Sequence, residues 1–211
     1  MATDDGTDPD LVRRAAGGDS AAWDALVAAT RDRLRRMIHL RLSRRVQGRV
    51  DEADVLQEAY LEVYRQLPGY AADPRAPFFL WVRHLAGLKL AEVHRRHLGA
   101  QLRDAGHEVT LHRGGMPGAD SASLAAQLMG AFTSPSEAAV KAELRLQLQD
   151  ALNRMDPLDR EVLALKHFEQ LSTDEVADVL GLSKSGAGHR YVKAVKSLRA
   201  LLEQIPGFTG L

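Results

Sequence analysis

Apolar residues in the first hundred positions recur at three- and four-residue intervals and are interrupted by polar punctuation. Trp23, Leu26, Val27, Leu34, Met37, Ile38 and Leu42 keep that spacing or its sums, which predicts a long amphipathic helix with arginines on its outer face. Before it, Asp8-Pro9 offers a cap followed by a proline at the first helical position. Gly17-Gly18-Asp19-Ser20 then ends one short helix and caps the next. Asp51 caps a third helix carrying Val55, Ala59, Val63 and Leu67, with Pro68-Gly69 as its expected stop. A proline-rich loop, Pro68 to Pro77, leads into a fourth helix that begins near Phe78 and runs through Trp81, Leu85, Leu88 and Val93. Residues 8–98 are expected to form one helical domain.

Between residues 99 and 135 the pattern weakens into Gly, Pro, Ser and Ala around Gly114-Gly115-Met116-Pro117-Gly118, a composition expected to bury little surface and to act as a mostly flexible linker. Periodicity resumes at Ser136 with Val140, Leu144, Leu148, Ala151 and Leu152, and Asp156-Pro157 restarts a helix carrying Val162, Leu163 and Leu165. A second helical domain is expected over 136–205. Only Val109 to Leu111 hints at extended chain, so the fold class is all-α: two small helical domains joined by a linker.

The second domain closes on a helix-turn-helix pattern. Ser172-Thr173-Asp174-Glu175 is a capping box, Val176, Val179 and Leu180 form the inner face of a short helix, and Gly181 supplies a left-handed stop. Ser183 caps the next helix, with Ala187, Tyr191, Ala194, Val195 and Leu198 on one side and Ser185, His189, Val192, Lys193 and Lys196 largely opposite. The second helix of such a pair is suited to a major groove. Lys184, Lys193 and Lys196 are candidates for phosphates and Ser185 and His189 for base edges, while Arg190, nearer the buried side, either anchors the DNA backbone or braces the fold. A capping box with a glycine marks any packed helix pair; the cationic outer face is what turns this one toward DNA.

Composition adds exclusions. The chain has 211 residues, 45% hydrophobic, 27% charged and only 5% aromatic, which favours helices over sheets. Cysteine is absent, so disulfides, thiolate metal sites and cysteine nucleophiles are excluded. The acidic start, and the lack of any run of about 18 apolar residues, argue against a signal peptide or membrane span and lead to an expected cytoplasmic location. The 28 Lys and Arg balance the 28 Asp and Glu, but unevenly along the chain. Arg31, Arg33, Arg35, Arg36, Arg41, Arg44, Arg45 and Arg49 are opposed only by Asp32; then Asp51, Glu52, Asp54, Glu58 and Glu62 meet no basic residue. Basic residues return at Arg83, Lys89, Arg95, Arg96 and Arg103, and again at Lys184, Arg190, Lys193, Lys196 and Arg199. A polyanion suits the basic segments and a different, basic partner the acidic one.

These residues resemble the extracytoplasmic-function sigma factors, the smallest members of the bacterial sigma-70 family. Asp51-Glu52-Ala53-Asp54-Val55-Leu56-Gln57-Glu58-Ala59-Tyr60 is similar to that family's core-polymerase-binding helix, which docks on the clamp helices of the large polymerase subunit. The resemblance implies Asp54, Gln57 and Glu58 as polymerase contacts, and helical spacing adds Leu61 to the same stripe. Asp54 is also placed to complement the positive end of its helix. Phe78-Phe79-Leu80-Trp81-Val82-Arg83 and the basic helix to Arg96 are similar to the promoter-melting segment that captures a single strand of the minus-ten element. The preceding loop corresponds in order to one that receives a flipped base. That makes Tyr70, Arg75, Arg83, Arg95 and Arg96 the candidate strand contacts, with Trp81 on the inner face. Leu171 to Arg199 is similar to the minus-thirty-five reader and Leu158 to Leu163 to the helix before it. Gly186-Ala187-Gly188 stands where the family usually has a Thr-Val-Lys-like run, and Gly87-Leu88 where it often has Arg-Asn.

The function implied is that of a sigma factor that binds core RNA polymerase and directs promoter-specific initiation on double- and single-stranded promoter DNA, with an anti-sigma regulator as a possible further partner. The alternative is a helix-turn-helix regulator or helical adaptor that does not bind core polymerase. No enzyme activity and no cofactor are expected. His84, His94 and His97 invite a metal reading, which the neighbouring Arg95 and Arg96 oppose.

Overall fold

The computed structural model describes residues 6–42, 49–98, 111–112, 116–132 and 138–205, divided between two compact units, Met1–Pro117 and Gly118–Leu211. Arg44, Arg45, Arg103 and Val109 lie outside the described residues.

In the first unit α1 (Pro9–Ala16), α2 (Ser20–Arg41), α3 (Glu52–Ala72) and α4 (Phe78–Leu98) pack together. The caps explain where each helix starts. Asp8 accepts from Asp10 N, Asp19 from Ala22 N and Asp51 from Ala53 N, each satisfying an orphan donor of the first turn. The core is built from Leu26, Leu34, Met37 and Ile38 of α2, Val55, Ala59, Val63 and Leu67 of α3, and Val82, Ala86 and Leu90 of α4. Each fully buried Leu or Ile contributes about 1.5–3 kcal/mol by leaving water.

Three features differ from the sequence expectation. Pro68-Gly69 does not stop α3, which continues to Ala72, where Asp73 N closes on Gly69 O at 3.2 Å. Proline removes only one donor, and buried Leu67 together with the ring contacts of Tyr70 holds the last turn in place. Arg41 is not on an outer face: it is 1% exposed and donates to Pro117 O at 2.8 Å. The residues that bring this acceptor form a short antiparallel pair, β1 (Leu111–His112) and β2 (Met116–Pro117). A Cβ at Gly87 would overlap the Met116 side chain, so the glycine in α4 is what lets β2 dock. Leu88, one of the apolar positions that mark α4 in the sequence, is exposed.

In the second unit, α5 (Ser121–Phe132) lies inside the span expected as linker and packs on α6 (Ala138–Arg154). Its start is capped by Asp120, which accepts from Ser123 N and Oγ, both at 2.9 Å. Leu124, Ala125 and Met129 are buried, so a stretch of small residues supplies a close-packed face after all. Next come α7 (Pro157–Leu163), capped by Asp156 and prolonged by a π-helical turn over Ala164–Phe168, then α8 (Thr173–Leu180) and α9 (Lys184–Leu202). Both bonds of the Ser172–Glu175 capping box are present, Gly181 has φ 64°, and Ser183 accepts from Gly186 N. Ala187 and Ala194 are buried on the inner side of α9, where a larger side chain would push the helix off α7 and α8.

Candidate functional site

The acidic stripe is formed by one face of α3. Val55, Ala59, Val63 and Leu67 turn inward, which leaves Asp54, Gln57, Glu58 and Leu61 together on the outside. Other acids nearby are engaged: Glu52 sits 2.6 Å from His39 Nδ1, and Glu62 accepts from Gln66 at 2.6 Å. Asp54 and Glu58 have no ion-pair partner among the described residues. Beside the stripe is a groove of about 690 Å³ between α2 and α3, whose apolar lining includes Trp23, Val27, Leu56, Tyr60, Leu61 and Tyr64. Leu61 is 52% and Tyr64 51% exposed, unusual for such side chains side by side. Trp23 meets Tyr64 edge-on at 5.1 Å, and the Tyr60 hydroxyl is tied to Thr30 Oγ1 at 2.9 Å, so contacts between α2 and α3 hold the groove wall. Sequence reading placed Trp23 only in the core pattern and gave Tyr64 no role. Their signal was weak: Trp23 on α2 and Tyr60 and Tyr64 on α3 fall just outside the main buried stripes.

At the other end of α3 an aromatic trio gathers. Tyr70 stacks on Trp81 with centroids 4.4 Å apart and 20° between planes, and meets Phe78 at 5.6 Å. The Tyr70 hydroxyl donates to Ala76 O at 2.8 Å and so closes the loop from Asp73 to Pro77. Tyr70 itself sits in the last turn of α3 rather than in the loop. Arg75 is exposed on that loop, 2.7 Å from Asp73. Arg95 and Arg96 are exposed near the end of α4, with Arg96 bound to Glu92 at 2.7 Å. Arg83 corrects the sequence expectation: it is 4% exposed and belongs to the interior of the unit. Phe79, Arg83, Leu90 and His94 are all buried and fall at offsets of 4, 11 and 15 on one face of α4, so spacing alone put this cation inside.

In α9, Ser185, His189 and Lys196 are exposed along one stripe with Val192. The other predicted cations are engaged. Lys184 pairs with Asp174 at 2.8 Å in an exposed bridge that contributes little to stability. Arg190 and Lys193 turn toward buried Asp159, at 2.5 and 3.2 Å, and Arg190 also donates to Asp156 at 2.6 Å. Arg190 is thus placed to brace the fold, one of the two roles its position allowed, and Lys193, more exposed, is drawn to the same carboxylate. Val195, expected inward, is partly exposed.

Two groups of this unit are expected to respond to acid. Burial works against the Asp156 carboxylate, but the backbone N–H of Asp159, the Arg190 guanidinium and the backbone N–H of Leu158 outweigh it and hold the group below its usual 3.8. That stabilisation is complete above about pH 4 and is lost as pH falls through the lower folded value. Burial, and then Lys166, push His167 below its usual 6.5, so from about pH 6.5 downward the unfolded chain takes up the proton first and stability falls. The expected result is a urea midpoint for the second unit that declines in two stages on acidification, with His167→Phe removing the upper one. A flat midpoint between pH 7 and pH 5 would contradict the His167 assignment.

Among the described residues no cluster of His, Asp and Glu suits a metal ion, and no helix is long and apolar enough to cross a membrane.

A capped short helix, a left-handed glycine turn and a longer helix with a polar outer stripe define the second unit as a helix-turn-helix of the DNA-binding type. Residues 145–198 match the family model for sigma-70, region 4. The chain is 25% identical over 198 residues to RNA polymerase sigma-H factor of Pseudomonas aeruginosa, covering 94% of this chain and 95% of that protein. It is 29% identical over 195 residues to the ECF RNA polymerase sigma factor ShbA of Streptomyces griseus, covering 92% and 94%. Among solved structures, CnrH in complex with the cytosolic domain of CnrY has a similar fold, with TM-score 0.55, 22% identity, and coverage of 93% of this chain and 97% of that one. Over most of its length the chain is thus similar to sigma-70 family proteins, extracytoplasmic-function sigma factors among them, and residues 145–198 match region 4 of that family.

Proposed function

We propose that the chain binds core RNA polymerase through the outward stripe of α3 and directs initiation at specific promoters. The observation that carries this reading is the outward acidic stripe, Asp54 and Glu58 with Gln57 and Leu61, whose carboxylates have no ion-pair partner among the described residues, in a chain whose other unit matches sigma-70 region 4. A basic, amphipathic surface such as the polymerase clamp helices fits it: cations meet the carboxylates while an apolar side chain enters the neighbouring groove. The first unit offers Tyr70 and Arg75 at one loop and Arg95 and Arg96 on α4 to an unpaired minus-ten strand, by stacking and phosphate contact. The second unit offers Lys184, Ser185, His189 and Lys196 of α9 to the minus-thirty-five duplex. Two weak DNA contacts on one chain become a strong one when both elements lie at the right spacing. The polymerase carries out the chemistry, the chain itself has no catalytic step, and the setting is the cytoplasm.

Run-off transcription with purified core polymerase tests the reading. A promoter-dependent transcript that requires the chain is expected; no transcript from any candidate promoter, together with no binding to core, would overturn it. A regulator that competes with core polymerase for the first unit is part of the same proposal. It predicts a polymerase-free complex in the native cell, and a pool found wholly on polymerase under all conditions would exclude it.

A further inference from the structure

Asp159 of α7 is 2% exposed, yet it faces two cations of α9: its Oδ1 stands 2.5 Å from Arg190 Nε and its Oδ2 3.2 Å from Lys193 Nζ. Arg190 is held a second time by Asp156, Nη2 to Oδ1 at 2.6 Å. Asp156 is itself fixed, because the same oxygen accepts from the backbone N–H groups of Leu158 at 2.9 Å and Asp159 at 3.2 Å. A buried carboxylate gives up its hydration, and an apolar residue of the same volume often packs as well or better. What the charges supply, and an apolar contact does not, is a preferred register, here set by the Arg190 hydrogen bond to Asp156 together with the close charge contacts of Arg190 and Lys193 with Asp159.

Register matters here because of where the side chains fall around α9. At about 100° per residue, Ser185, His189 and Lys196 share one stripe, Lys193 flanks it, and Arg190 lies further round toward buried Ala187 and Ala194. Two grips on the same flank set the rotation of the helix about its own axis. A modest roll would carry Ser185 and His189 away from base edges without changing which helices pack together.

We infer that Asp159 is a positioning residue for promoter reading: through Arg190 and Lys193 it fixes the roll of α9, so these two cations set which base edges the helix meets instead of neutralising phosphates. The inference rests on the proposed reading of α9 as the DNA-facing helix.

Holoenzyme reconstituted from core polymerase and the full chain, titrated on duplexes with a randomised upstream window and on one mixed-sequence duplex at several salt concentrations, separates the roles. For Asp159→Asn the ratio of best to average binding in the randomised window should fall about tenfold or more. Asp159→Glu should recover part of it, and the salt slope on the mixed duplex should not decrease. Lys196→Ala should lower that slope by about 0.9, the value of one phosphate contact. Lys193→Ala, an exposed substitution, should blunt base preference with no such drop. Undiminished preference in Asp159→Asn, or a slope reduced by about 0.9 in Lys193→Ala, would overturn the assignment. If Asp159→Asn does not fold, Lys193→Ala decides alone. Wild-type holoenzyme without any upstream base preference would instead remove the promoter-reading function itself.

Discussion

Replacing Asp54 and Glu58 together by alanine is expected to weaken binding to core polymerase about a hundredfold or more while the chain stays folded. Both carboxylates point outward from α3 and have no ion-pair partner among the described residues, so their removal breaks no internal bridge. The helix start does not depend on them, because Asp51 is the residue that caps it. Asp54 lies in the first turn, so its loss costs the helix only about 0.3–1 kcal/mol of favourable end-charge interaction. Truncating one member of a charge pair desolvated in an interface costs about 2–5 kcal/mol, and one such pair at mid-range already corresponds to the stated loss. Binding measured by anisotropy of a labelled chain, with circular dichroism as the control for folding, checks both halves. Added salt should weaken the wild-type complex more than the variant, since the variant has fewer charges to screen. Unchanged affinity would remove α3 from the interface.

Leu152→Ala is expected to have the largest effect on stability, about 2–5 kcal/mol, confined to the second unit. Leu152 of α6 is 1% exposed in the core of that unit, and its backbone carbonyl accepts from Arg160 Nη1 at 3.1 Å, so the site has little freedom to collapse onto the missing atoms. Domains of this size have a total stability of only about 5–15 kcal/mol, so a loss at the upper end leaves the unit marginal at growth temperature. For a domain of under a hundred residues the transition should move down by 10 °C or more, on the order of 4–8 °C per kcal/mol. Because the chain divides into two compact units, the transition of the first should stay where it is. Calorimetry resolves the two; a common shift of both would show that they unfold together.

Much of the fold was legible because its signals are local. Asp8-Pro9, Asp19, Asp51, Asp156-Pro157, Ser172 to Glu175 and Gly181 each satisfy donors or acceptors within a few residues of themselves, and each is found in that role. The acidic stripe was legible for the same reason: helical period alone separates Asp54, Gln57, Glu58 and Leu61 from Val55, Ala59 and Val63. Arg83 apart, the differences were decided by distant partners. Pro68 stays helical because Leu67 and Tyr70 find neighbours elsewhere in the unit, and residues 121–132 become a helix because α6 offers a face to cover. For Arg83 the helical period of α4, which places it with Phe79 and Leu90 on the buried face, outweighs its charge.

The sequence by itself determined most of the helices, their capped starts, the uneven division of charge and the helix-turn-helix, because capping and periodicity act over one or two turns of chain. Only the tertiary structure decided which cations find a partner among the described residues. Lys193 and Lys196 are alike on the exposed side of α9, yet one is drawn to Asp159, a residue 34 positions earlier, and the other is left to solvent. A charge acts across space rather than along the chain, so its partner is set by packing.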